Sequence, residues 1–169
     1  MKRLSKIWMS LGLPRGKRVF SFQEFIHHLT GLTRSLPVIL RTFRAARLSP
    51  QMIEKIMLSV TAVNECRYCT FVHSLQALKL GLSPEDIQKL MAFDLGACTE
   101  EEAVACAFAQ HYAESNGQPD KNALLRLVGQ LGFEKTRDVM VYIQMIEFGN
   151  LFGNTVDAYL PPFLRNLLI

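Results

Sequence analysis

The sequence predicts a single all-helical domain that assembles into an oligomer. Three observations predict it. Apolar residues recur at three- and four-residue spacing, with no sustained period-two alternation, hairpin turn or internal repeat. Cap residues and glycine stops punctuate the chain at short intervals. A hydrophobic fraction of 49% against 20% charged leaves few charges to cover the surface, so apolar area is expected to be shared between subunits.

In order, Phe22, Phe25, Ile26 and Leu29 mark a helix expected to end near Gly31. Pro37 to Arg47 reads as a second helix, with Arg41, Arg44 and Arg47 along one side. Ser49-Pro50 is an N-cap with proline at the first helical position, opening a helix whose Ile53, Ile56, Met57 and Val60 share a face. Asn64 offers a break or a new cap. Cys66 to Leu80 reads as helical, closed by Gly81. Ser83-Pro84 starts a short helix, and Thr99-Glu100-Glu101-Glu102 is a capping box for one that runs to about Asn116-Gly117. Asp120 caps the next, which Gly132 ends. Glu134 to about Tyr159 is the longest stretch, with possible kinks at Gly149 or Gly153, and Pro161-Pro162 stops it. Its Met140, Ile143 and Ile146, with Phe148 and Phe152, read as core or subunit contact.

The 169 residues suit one domain, divided here as a basic N-terminal arm (1–20) and a helical domain (21–169). The longest runs free of charged residues, Tyr68–Leu78 and Ala103–Ala113, span 11 residues each, against about 20 for a membrane span. The start has a charged head, but its apolar stretch is too short for a secretion signal, and a cytoplasmic location is expected. Leu4, Ile7, Trp8 and Leu11 form a short amphipathic arm; docking on a partner chain is the first reading and contact with a membrane surface the weaker one. Residues 1–47 hold ten Lys/Arg and one acid, residues 48–169 nine Lys/Arg and fourteen acids. The basic face is expected to be solvated or intersubunit; no nucleic-acid signature accompanies it.

The chemistry lies in Asn64-Glu65-Cys66-Arg67-Tyr68-Cys69-Thr70-Phe71-Val72-His73. On a helix, Cys66 and Cys69 share a face with Cα atoms about 5–5.5 Å apart, within disulfide range. His73 lies one turn beyond Cys69 and can take its proton. Glu54 would be about 18 Å from Cys66 on one straight helix. An antiparallel helical hairpin reversing near residues 63–64 instead brings Glu54 level with His73, where a carboxylate orients the imidazole and raises its basicity. A cap at Asn64 would put Cys66 in the first helical turn, where the dipole favours its thiolate; His73 favours Cys69. Two thiolates, His73 and Glu54 could alternatively hold zinc, or the chain could be a structural oligomerisation module. Cys98, Cys106, His27, His28 and His111 are read as structural, and Tyr68 as a wall of the thiol pocket.

The pattern Glu54-x11-Cys66-x-x-Cys69-x3-His73, with Tyr68 inside the pair, resembles the alkylhydroperoxidase D / carboxymuconolactone decarboxylase superfamily over about Leu36 to Ala113. The resemblance implies an all-α fold forming dimers, trimers or dimers of trimers, with thiol peroxidase or disulfide reductase activity. It implies Cys69 as peroxidatic thiol, Cys66 as resolving thiol, and His73 and Glu54 as proton relay. The substrate would be a hydroperoxide or disulfide, the reductant an external dithiol or thioredoxin-like protein, with no bound cofactor. The family's best-understood peroxidase has histidine where this chain has Tyr68. The decarboxylase branch works without the cysteine pair, which argues against ring-lactone decarboxylation.

Overall fold

The structure, a computed structural model, describes residues 17–161. The amphipathic arm around Leu4, Ile7, Trp8 and Leu11 lies outside the described residues. Among those residues there are seven helices and no strand: α1 (Phe22–Arg34), α2 (Leu36–Ala45), α3 (Pro50–Asn64), α4 (Arg67–Lys79), α5 (Pro84–Met91), α6 (Glu100–Glu114) and α7 (Lys121–Tyr159). No helix among them is long and apolar enough to cross a membrane.

Local chemistry sets the starts. Ser21, Ser49, Ser83, Thr99 and Asp120 each accept a hydrogen bond from the backbone N–H three residues on, and Glu24 and Glu102 complete capping boxes. Gly132 (φ 75°, ψ 168°) interrupts α7, and the backbone from there to Tyr159 is helical without a kink at Gly149 or Gly153. The end of the first helix differs from the sequence reading. Gly31 does not end α1, which continues to Arg34. A single helical glycine costs only about 1 kcal/mol, whereas Pro37, lacking an N–H, breaks the backbone ladder outright.

α3 is the centre of the bundle. It packs against α4, α5, α6 and α7, and most of its residues are buried. Ile56, Leu58 and Val60 meet Leu90, Leu127 and Ile143, all fully buried, in one core. Because α3 is enclosed on several sides, its polar residues are buried too, and each site side chain it carries is held by packing.

Asp138 of α7 is fully buried and accepts hydrogen bonds from Thr42 Oγ1 and Arg47 Nη1, both at 2.8 Å. This ties α2 to α7. Asp138→Ala strands the buried Thr42 hydroxyl and is expected to cost about 2–3 kcal/mol, read as a lower urea midpoint.

Candidate active site

α3 ends at Asn64, and Glu65 turns the chain in the left-handed region (φ 54°). Cys66 therefore does not lie on a helix, as the sequence reading had it. It is the N-cap of α4, extended at φ −77°, ψ 106°. Asn64 is no cap, because its side chain is engaged elsewhere: its Nδ2 donates to Glu147 Oε2 at 2.6 Å. An N-cap side chain sits over the third helical residue, and here that residue is Cys69. The two sulfurs are 2.9 Å apart as free thiols, and the Cys69 N–H points to Cys66 Sγ at 3.4 Å.

Environment divides the pair. Cys66 is fully buried and Cys69 partly exposed. The Cys66 thiol is lowered to about 7, first by the hydrogen bond from Cys69, then by the backbone N–H groups of Cys69 and Tyr68 and the charge of Lys17; burial opposes this. Cys69 is pushed up, because it is the donor to Cys66 and because it is itself partly buried. The first proton lost belongs to the pair, and its charge rests on Cys66.

Glu54 and His73 come together across α3 and α4. His73 Nδ1 is 2.8 Å from Glu54 Oε2. A carboxylate only accepts, so Nδ1 carries the hydrogen and Nε2 is the basic nitrogen. Glu54 is buried, at 6% exposure, and its carboxyl group meets the imidazole there. His73 is hydrogen-bonded to Glu54 and, among the described residues, to neither sulfur.

α7 closes the site, and the sequence reading missed its part. Glu147, Asn150, Asn154 and Asp157 stand at i, i+3, i+7 and i+10, a polar stripe within an apolar helix; that spacing was the available signal. Asn154 Nδ2 donates to the Asn64 carbonyl at 2.7 Å, and Thr61 Oγ1 to Asn150 Oδ1 at 3.1 Å. Arg18 pairs with Glu147, and Lys17 lies 3.5 Å from Asp157. The Phe20 N–H donates to Thr155 Oγ1 at 2.8 Å. The last basic residues before α1 are thus laid along α7. Gly153 touches the pair: a Cβ there would lie 2.8 Å from Cys66 Sγ.

A cleft of about 300 Å³ opens beside Cys69, lined by Tyr68, Gly149, Phe152, Gly153 and Val156. Tyr68 forms its wall. Its hydroxyl accepts from Arg67 Nη2 at 2.9 Å and lies 3.3 Å from Asp157 Oδ1. Cys98 and Cys106 sit together in the core, apart from this pair. Among the described residues no group of three or more His, Cys, Asp or Glu side chains could hold a metal ion, so the zinc reading has no donor set there.

Residues 39–111 match the family model described as the Carboxymuconolactone decarboxylase family. The match falls within the segment whose sequence resembles that superfamily. Among curated proteins the chain has no match.

Lowered acidity has a direct readout. Because the folded pKa of Cys66 is depressed, its thiolate stabilises the fold at high pH, and that contribution is lost as pH falls through about 7. Alkylation of the reduced pair is expected to rise with a midpoint near 7. Stopped-flow alkylation across pH checks it; a midpoint at the ordinary cysteine value of about 8.5 refutes it.

Proposed function

We propose that the chain is a thiol-dependent oxidoreductase, an alkylhydroperoxidase-like peroxidase or disulfide reductase. One observation carries the reading: two free sulfurs 2.9 Å apart, one buried at a helix N-terminus and the other open to a cleft. Cys69 is the peroxidatic thiol because substrate reaches it. The resting charge on Cys66 does not oppose this, since the shared proton can cross the 2.9 Å between the sulfurs and leave Cys69 as thiolate.

The Cys69 thiolate attacks the terminal peroxide oxygen. An S–O bond forms, the O–O bond breaks, and sulfur supplies both electrons. The alkoxide takes a proton that solvent supplies through His73 Nε2, whose ring Glu54 orients at Nδ1, and leaves as the alcohol. Cys66 then attacks the sulfenic sulfur, gives up its proton, and water departs as the disulfide closes. An external dithiol, small or thioredoxin-like, returns two electrons by exchange. A disulfide substrate uses the same exchange chemistry in reverse order.

Exposed Phe22 (80%) and Phe133 (73%) support a homo-oligomer, and the reading keeps the chain in a reducing, cytoplasmic setting. The test is turnover of cumene hydroperoxide and of small disulfides with dithiothreitol or thioredoxin as donor. Turnover with reversible loss of both thiols is expected. Thiols untouched by peroxide and by disulfide overturn the reading.

A further inference from the structure

We propose that Cys98 and Cys106 form a second thiol site, one that exchanges with low-molecular-weight disulfides: Cys98 takes the incoming sulfur, and Cys106 then closes on it as an internal disulfide. The chemistry needs neither Cys66 nor Cys69.

The two sulfurs are neighbours with unequal access. Cys98 precedes the N-cap Thr99 and is partly exposed, whereas Cys106 lies on α6 and is fully buried. A hydrogen bond from Cys106 to Cys98 joins them. Their surroundings come from α3, the helix that also supplies Glu54 to the first pair. Lys55 and Ser59 stand one turn apart on α3 and so share a face. Lys55, at 8% exposure, donates to the Ala97 carbonyl at 3.1 Å and pairs with Glu102 at 2.7 Å. Glu102 in turn accepts from the Thr99 N–H at 2.9 Å. Both neighbours of Cys98 in the chain are therefore held, with an ammonium close by. The Ser59 hydroxyl is fully buried, has no oxygen or nitrogen partner among the described residues, and faces the Cys106 sulfur. A buried hydroxyl given to a sulfur favours negative charge there, which a resolving thiol must develop. The Cys98 thiol is lowered, first by the hydrogen bond from Cys106 and then by the charge of Lys55, against burial and the carboxylates of Glu102 and Asp86. Cys106 is raised, as the donor and by burial. In this pair the accessible sulfur is the acidic one, the reverse of Cys66 and Cys69.

Exchange suits that arrangement. The Cys98 thiolate attacks one sulfur of the small disulfide; a new S–S bond forms, the old one breaks, and a thiolate leaves to be protonated by solvent. Cys106 gives its proton to solvent and attacks the Cys98 sulfur, and the second thiolate leaves in the same way. One small disulfide and two protein thiols become two small thiols and one protein disulfide. A leaving thiolate departs without a proton donor, whereas the alkoxide from a hydroperoxide needs one, and the charged groups facing Cys98 are Lys55, Glu102 and Asp86, with no imidazole.

The test exposes the Cys66→Ser/Cys69→Ser variant to glutathione disulfide. Both remaining thiols should disappear, with the intact mass falling by two hydrogens and returning with dithiothreitol, and a digest should join the Cys98 and Cys106 peptides. With Cys106→Ser added, one glutathione should stay on Cys98; with Cys98→Ser added instead, Cys106 should stay free. The same digest of the unsubstituted chain reads the site without any demand on the folding of variants. Thiols at 98 and 106 left intact in both chains overturn the inference. So does glutathione found on Cys106, or a disulfide joining two chains through Cys98. None of these readouts uses hydroperoxide turnover, so failure of the peroxidase reading is seen separately.

Discussion

Cys69→Ser is expected to leave hydroperoxide turnover at background, a loss of roughly 10⁴-fold or more, the scale on which removal of a covalent nucleophile acts. Cys66→Ser should fail differently. Cys69 keeps its cleft and its His73, so one equivalent of peroxide is still consumed, and the sulfenic acid then persists because nothing closes on it. Intact mass resolves the two: one added oxygen in Cys66→Ser, none in Cys69→Ser. The opposite pattern would reassign the nucleophile to the N-cap sulfur. That outcome has a physical basis, since the Cys66 thiol is the one lowered to about 7. What separates the roles is access, because the more acidic sulfur is the buried one.

Gly153→Val should be almost as damaging, although it removes no reactive group. Its Cβ would stand 2.8 Å from Cys66 Sγ and 3.5 Å from Tyr68 Cδ2. Neither neighbour gives way easily: the sulfur is fixed as a helix cap, and the tyrosine is tied at its hydroxyl. α7 must back away or Cys66 must leave Cys69. Overpacking of this kind costs about 1–3 kcal/mol of stability. It should also move the alkylation midpoint upward, because the hydrogen bond that lowers Cys66 is the one displaced. Gly149→Ala is the matched control, since its Cβ meets nothing within 4 Å. Stability, alkylation profile and turnover of the pair settle the point; equal behaviour would show that the close approach at 153 has no chemical consequence.

Much of this was legible in the sequence where the signal is local. Ser49-Pro50, Thr99 with Glu102, Asp120 and Gly132 mark their boundaries because cap and stop chemistry operates within four residues. The Glu54–His73 contact was legible by register alone, since a reversal near Asn64 fixes which positions face each other. The form of that reversal was not. Whether Asn64 or Cys66 caps α4 depends on Glu147, 83 residues away, which takes the Asn64 amide. Asp157 and Gly153 were hidden for the same reason: each acts on the thiol motif only through the packing of α7 against α4. The docking of Lys17 and Arg18 likewise has no local signature beyond charge.

The burial of one sulfur beside an accessible one has a kinetic corollary under the proposed cycle. Oxidant and reductant must use the same doorway, and only in alternation, since each half-reaction leaves Cys69 in the state the other consumes. Steady-state rates should then follow a ping-pong pattern, with parallel double-reciprocal lines, and each co-substrate in excess should compete with the other for a single exposed atom.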